Sequence, residues 1–363
     1  MNTIKKIGLT ALGTTLVAGS AIAGEITASG DAGYTWASEA TGSTTTDGAG
    51  FNHDITFSGS GELDNGWSVS TTMILVEGAT LSSSNVSLTM GSMGKVRIGS
   101  GTGGTGASYD NVVPTAYEEN HDGMATSTAL DNMGGLLGNG QIDYFSPSFD
   151  LGGGSASFMY AWAPEASNTA ITEGGVSTSS VDRGSGWAAG VNISTGGISA
   201  GAYHATATHD TQGDTTAVTG TDMADSNDST WFAKYSAGPV SFGYQKGIID
   251  RGISAAASTV ATSAVTVAAA GGDFESEAMS IAFNVNENFS VSWSELEETY
   301  DEQDNNSSGT ATADVTMEST SIQFAYTMGS MSIKGYQTDT DQPGWDSDAK
   351  SQEITEIAVN FAF

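Results

Sequence analysis

The sequence predicts an all-β protein, a sixteen-stranded antiparallel transmembrane β-barrel with short turns at one end and long loops at the other. Three observations lead to this fold class. Apolar residues recur at every second position in segments of about ten residues, which is the period of a half-buried strand. The number of such segments is even. Short and long connections alternate, as they do when all the short turns of an antiparallel barrel lie at one end.

The alternation is clearest at the C-terminus, where Ile357, Val359 and Phe361 are separated by small or polar residues. The same pattern defines each of the other segments, with turn residues such as Gly, Asn and Asp between them. The predicted strands are 25–36, 51–60, 67–76, 84–91, 94–100, 140–147, 155–162, 185–194, 198–208, 229–237, 240–249, 275–285, 289–300, 315–327, 331–339 and 352–363.

The connections between these strands fall into two classes of length. The short ones are 61–66, 92–93, 148–154, 195–197, 238–239, 286–288 and 328–330. The long ones are 37–50, 77–83, 101–139, 163–184, 209–228, 250–274, 301–314 and 340–351. A bilayer requires such a sheet to close, because an open edge in lipid would leave backbone groups unpaired.

A soluble β-sandwich or a secreted β-helix would also produce alternating strands. A sandwich normally carries charged residues on its solvent face, whereas the non-apolar faces here are mostly Ser, Thr, Gly and Asn, as expected for a water-filled lumen. Aromatic residues near predicted strand ends, such as Trp36, Trp187 and Trp231, also favour a bilayer. Trp and Tyr rings prefer the lipid–water boundary.

Composition excludes several classes of function. The 363 residues include 42 acidic and 10 basic side chains, for a net charge of -32, and no cysteine. Ten basic residues cannot supply the positive surface that nucleic acid requires, so we expect no nucleic-acid partner. The absence of cysteine excludes disulfide scaffolds, zinc fingers and iron–sulfur sites.

Residues 1–23 have the features of a cleaved secretory signal peptide. Lys5 and Lys6 precede an apolar stretch over 7–18, and Ala21-Ile22-Ala23 forms a cleavage site. The alternative, a short anchoring helix, is too short to span a bilayer. We therefore expect residues 24–363 to form a single barrel domain, which loses two lysines and so carries a net charge of -34.

Several stretches resemble the general porins of the Gram-negative outer membrane, most closely the alphaproteobacterial branch. Residues 25–34 resemble the first mature strand of that family, and residues 55–59 with 64–67 resemble its second strand and turn. Residues 91–99, with the sequence GSMGKVRIG, resemble the strand pair before the constriction loop. The terminal Phe363 resembles the outer-membrane assembly signal.

This resemblance implies an outer-membrane homotrimer with periplasmic turns and external loops, in contact with lipid and lipopolysaccharide. It implies passive diffusion of small hydrophilic solutes and ions, with no enzymatic activity and no required cofactor. It also implies that the third long loop, 101–139, folds into the lumen. The alternative function is a non-conducting structural or adhesive surface barrel. The length of 101–139 favours the porin, since a filled barrel needs no constriction loop.

An inward-folded loop would place its carboxylates at the narrowest point of the channel; the alternative is an ordinary acidic external loop. The candidate constriction residues are Asp110, Glu118, Glu119, Asp122 and Asp131. Strand alternation points four basic side chains into the lumen from the barrel wall. These are Lys95, Arg97, Lys234 and Lys334.

The second strand departs from the family pattern. Relatives often carry arginines there, whereas this chain has Asn52 and Asp54, so the wall is less basic. Carboxylate rings favour cations, so we predict a cation-preferring pore.

Acidic residues also cluster in the outer loops. Calcium takes six to eight oxygen ligands from such loops and would link them to anionic lipopolysaccharide. The candidate ligands are Glu297, Glu298, Asp301 and Asp304. The alternative is a set of solvated, mutually repelling loops.

Overall fold

The computed structural model describes residues 24–100, 106–120, 130, 133–138, 140–166, 183–209, 225–250, 272–302 and 314–363. Across these residues the chain forms one closed antiparallel sheet. The first strand, β1 (Glu25–Thr41), pairs with β2 (Thr44–Glu62) on one side and with the last strand, β17 (Gln352–Ala362), on the other. This double pairing closes the barrel. The predicted signal peptide lies outside the described residues.

The other strands follow one another around the barrel in chain order. They are β3 (Ser68–Val76), β4 (Thr80–Thr89), β5 (Lys95–Ser100), β6 (Ile142–Phe145), β7 (Phe149–Asp150), β8 (Gly154–Ala163), β9 (Arg183–Thr195), β10 (Ile198–His209), β11 (Ser226–Ala237), β12 (Val240–Asp250), β13 (Gly272–Asn286), β14 (Phe289–Glu302), β15 (Val315–Met328) and β16 (Met331–Asp341).

Seventeen strand segments make sixteen barrel strands. Segments β6 and β7 both pair with β8, so they are two parts of one strand that is interrupted at 146–148. The predicted all-β, sixteen-stranded antiparallel barrel is therefore confirmed. Among the described residues, no helix is both long and apolar enough to cross a membrane.

The two faces of the strands have opposite character. Ile322 is 64% exposed on the outer face of β15, while its neighbour Gln323 is 1% exposed on the inner face. Other large apolar side chains, such as Phe361 and Trp231, are also exposed on the outside. An apolar outer surface around a polar interior suits a barrel wall in lipid and is the reverse of a soluble sandwich.

Two predicted long loops are wrong. Strands β1 and β2 continue through most of 37–50 and meet at a two-residue turn, and a 3-10 turn at Glu77–Ala79 takes the place of the predicted 77–83 loop. Residues 44–50 are Thr, Asp, Gly and Ala, exposed on both faces, so they show no apolar alternation to mark a strand. The strict alternation of short and long connections therefore begins only after β5.

Candidate functional site: the pore constriction

The described residues of the longest connection, which joins β5 to β6, lie inside the barrel. Its described residues between 106 and 138 contact inward-facing side chains on the wall from β9 to β17, which we call the covered wall. Its apolar residues Tyr109, Leu130 and Leu137 are at most 1% exposed. The predicted inward-folded loop is therefore confirmed, and we call it the constriction loop.

One glutamine on β12 holds the first part of the constriction loop. The Gln245 side-chain oxygen accepts a hydrogen bond from the Val112 backbone N–H at 2.8 Å. Its side-chain nitrogen donates to the carbonyl oxygens of Tyr109 and Asp110 at 2.7 and 2.8 Å. An amide is both donor and acceptor, so one fully buried side chain satisfies both kinds of backbone group in a segment without regular structure.

A second glutamine, on β15, holds the middle of the loop in the same way. The Gln323 side-chain oxygen accepts from the N–H groups of Tyr117 and Glu118 at 3.0 and 3.1 Å. Its nitrogen donates to the Glu118 carbonyl at 2.8 Å. Sequence reasoning missed both glutamines, although alternation alone would have placed them on the inner face.

Carboxylates and hydroxyls of the covered wall hold the rest of the loop. The Glu298 carboxylate accepts from the Leu130 N–H at 3.1 Å and from the Ser276 hydroxyl. The Asn120 side chain donates to the Ser294 hydroxyl at 2.9 Å. Glu298, one of the predicted calcium ligands, is fully buried and fixes the loop to the wall.

Inward-facing glycines on the covered wall leave space for the loop side chains. A Cβ atom at Gly190 would stand 2.5 Å from the Tyr109 hydroxyl, and one at Gly247 would stand 2.9 Å from Leu130. Any larger residue at these positions would displace the loop. The wall glycine and the loop residue pair up as Gly186 with Leu137, Gly190 with Tyr109, Gly243 with Pro114 and Gly247 with Leu130.

Two loop tyrosines mark the ends of the stretch that crosses the covered wall. Near β9, the Asn192 side chain donates to the Tyr109 hydroxyl at 2.9 Å, and burial raises the pKa of Tyr109 to about 12. At β17, the Tyr117 hydroxyl donates to Glu356 at 3.0 Å. Burial, together with the carboxylates of Glu118 and Glu356, raises the pKa of Tyr117. Both phenols therefore stay neutral at physiological pH and act as hydrogen-bonding groups.

Glu356 is a wall carboxylate that the sequence-based prediction did not include. It also accepts a hydrogen bond from the Tyr336 hydroxyl at 3.3 Å. The predicted wall residue Lys334 meets the same junction, with its amine 5.0 Å from the centre of the Tyr117 ring. Alternation along β17, where Ile357 faces outward, would have placed Glu356 on the inner face.

The other predicted basic residues lie in different surroundings. Arg97 forms an ion pair with the buried Asp143, with the two groups 2.8 Å apart. The Lys95 amine lies 4.5 Å from the Phe145 ring centre. The Lys234 amine lies 5.0 Å from the ring centre of Phe232, a side chain in contact with the loop residue Tyr109.

Of the predicted loop carboxylates, Asp110, Glu118 and Glu119 lie on the constriction loop and are half-buried there. Asp122 and Asp131 lie outside the described residues.

The wall formed by β1 to β5, which we call the facing wall, carries two further acids. Asp31 and Asp54 are direct partners in the β1–β2 register. Tyr34 and Ile55 are exposed on the outer face, so alternation points both aspartates into the lumen. Neither has a hydrogen-bond or ion-pair partner among the described residues.

The structure separates the predicted calcium ligands. Glu297 is exposed on the outer face of β14, whereas Glu298 faces inward. Asp301 is exposed near the end of that strand, and Asp304 lies outside the described residues. Within the part of the chain that the structure describes, no group of three or more acidic or histidine side chains is placed to hold a metal ion. Calcium binding stays a prediction.

Comparisons with known proteins agree with this architecture. A family model described as Gram-negative porin matches residues 8–288. No curated protein sequence matches the chain. The anion-selective porin from Comamonas acidovorans has a TM-score of 0.60 and 17% identity, covering 94% of this chain and 100% of that chain.

Two other solved structures are similar over nearly the whole chain. Salmonella typhi OmpF in complex with daunomycin has a TM-score of 0.67 and 13% identity, covering 94% of this chain and 98% of that chain. The trimer form of Vibrio cholerae OmpT has a TM-score of 0.57 and 11% identity, covering 93% of this chain and 99% of that chain. At these identities the likeness shows the fold alone, and the alphaproteobacterial branch stays a prediction.

Proposed function

The chain belongs to the Gram-negative porin family, and on that premise we propose that it forms a water-filled, cation-preferring diffusion channel for small hydrophilic solutes and ions. The family and the fold make it an outer-membrane porin. The observation that carries the finer proposal is the position of the constriction loop. Because the loop occupies the covered wall, permeating ions pass between the loop and the facing wall.

The charges available to those ions are mainly negative. On the facing wall, Asp31 and Asp54 have no partner among the described residues. Of the two basic residues of β5, Arg97 is neutralised by Asp143, and Lys95 lies against the Phe145 ring. Lys234 lies beside Phe232 on the covered wall, away from the open side. Carboxylates lining a pore favour cations. The Comamonas porin is described as anion-selective and shares the fold, so lining side chains rather than the fold must set the preferred sign.

We also propose that residues 1–23 direct export and that the barrel assembles as a homotrimer. The basic, apolar and small-residue segments of 1–23 support the first statement. The V. cholerae OmpT structure described as a trimer form supports the second. The apolar outer face would contact lipid, and the acidic outer loops would lie at the level of lipopolysaccharide.

The test is the reversal potential of the reconstituted, full-length mature barrel in a potassium chloride gradient across a planar bilayer. We expect stable conductance and a reversal potential whose sign shows that potassium passes faster than chloride. A potential of the opposite sign would overturn the cation preference but leave the channel intact. No conductance from folded barrels would instead support the non-conducting surface protein.

A further inference from the structure

The last external loop, residues 342–351 between β16 and β17, enters the mouth of the barrel. Its Trp345 is only 5% exposed. The indole ring lies 4.8 Å from the Phe274 ring in an edge-on arrangement and 6.2 Å from the Tyr300 ring. Phe274 and Tyr300 are inward-facing residues near the outer ends of β13 and β14, so Trp345 covers the inner wall above the constriction loop.

This contact requires the loop to cross the inner side of the mouth. The barrel order is β13-β14-β15-β16, so Trp345 reaches a strand three positions away from the strand that precedes it. Neighbouring strands lie about 4.8 Å apart, so the ring reaches roughly 14 Å around the wall. A loop standing above its own two strands would leave Phe274 open to the lumen, whereas Phe274 is fully buried.

The opposite end of the same loop is fixed to another part of the rim. The Gly42 backbone N–H, at the tip of the β1–β2 hairpin, donates to the Ser351 carbonyl at 3.4 Å. The Lys350 side chain lies directly against Gly42. The loop therefore runs from the β1–β2 hairpin to the inner face of β13 and β14, and Trp345 is its inner attachment.

The attached conformation carries strain. Gln342 and Trp345, with φ of 52° and 54°, are the two non-glycine residues of the described chain that have a left-handed backbone. The buried indole N–H of Trp345 has no hydrogen-bond partner among the described residues. Both features raise the free energy of the attached state, and the packing of the ring against Phe274 and Tyr300 helps to offset them.

We propose that this loop forms a second size filter at the mouth, and that Trp345 is the positioning residue that holds it there. The inference rests on the proposed channel function. Solutes would pass the loop before they reach the constriction, and release of Trp345 would widen the entrance. The constriction loop would stay in place, because the side chains of Gln245 and Gln323 hold its backbone independently of Trp345.

The test compares Trp345→Ala with Trp345→Phe in the reconstituted mature barrel. The alanine variant removes the ring, so we expect higher unitary conductance and faster liposome swelling with larger oligosaccharides, at an unchanged rate for the smallest sugars. The phenylalanine variant keeps an aromatic contact and should stay close to wild type. Gln342→Gly is the matched control, since glycine adopts the same φ freely and leaves the attachment intact.

If Trp345→Ala does not fold, a variant with residues 343–349 replaced by two glycines gives the same comparison. Heat-dependent mobility in gels verifies folding of each variant. Folded Trp345→Ala or loop-shortened barrels with the wild-type size limit and conductance would overturn the second filter. A wild-type barrel without conductance would instead overturn the channel proposal, so the two failures are distinguishable.

Discussion

The covered wall and the facing wall are parts of the same sheet, but they use polar residues differently. On the covered wall, Gln245, Gln323 and Glu298 are buried and bonded to the loop backbone. On the facing wall, Asp31 and Asp54 lie opposite each other and have no partner in the described chain. Inward polar residues on the covered wall fix the position of the loop, whereas under the proposed function those on the facing wall would set which ions the pore prefers.

The largest effect is expected from removing a loop attachment on the covered wall. Gln323→Ala would leave two N–H groups and a carbonyl of the loop without their partner, at a cost of about 1–3 kcal/mol for each unsatisfied group. We expect larger and noisier single-channel currents. Gln337→Ala is the control, because Gln337 is exposed on the outer face of β16. A quiet, wild-type current from Gln323→Ala would show that the loop does not depend on this side chain.

An intermediate effect is expected on the facing wall. A unit charge about 7 Å from a permeating ion contributes roughly 0.6 kcal/mol in water, or about threefold in local cation concentration. Asp31→Asn with Asp54→Asn should therefore move the reversal potential towards zero. Asp47→Asn, on the exposed part of the β1–β2 hairpin, is the matched control and should change little. An unchanged potential in the double variant would remove these aspartates from the selectivity proposal.

The smallest effect is expected from a charge on the covered wall. Lys234 is the register partner of Gly243, and the loop residue Pro114 lies against Gly243. The Lys234 amine lies beside the Phe232 ring. Lys234→Met should leave the reversal potential within experimental error of wild type. Lys334 lies on β16, at the edge of the covered wall and two strands from β1 of the facing wall, so Lys334→Met provides the comparison and should increase cation preference. A shift from Lys234→Met as large as that from the Asp31→Asn, Asp54→Asn double variant would contradict the distinction between the two walls.

Much of the barrel follows from local sequence. Strand alternation identifies which side chains face outward, as Ile322 and Phe361 do, because neighbouring residues of a strand must point to opposite faces. The hairpin turns after β9, β11, β13 and β15 lie close to their predicted positions for the same local reason. The extension of β1 and β2 into the predicted 37–50 loop was not predictable, since residues 44–50 are exposed on both faces and show no apolar alternation.

The barrel, its strand number and the inward direction of its polar side chains follow from the sequence alone, because each depends on residues a few positions apart. Which of those side chains hold the loop and which face the lumen depends on the folded barrel. The bonds that decide this join residues far apart in the chain: 133 positions separate Val112 from Gln245, and 239 separate Tyr117 from Glu356. Pairing at that range depends on closure of the whole sheet, as does the burial of Trp345 against Phe274.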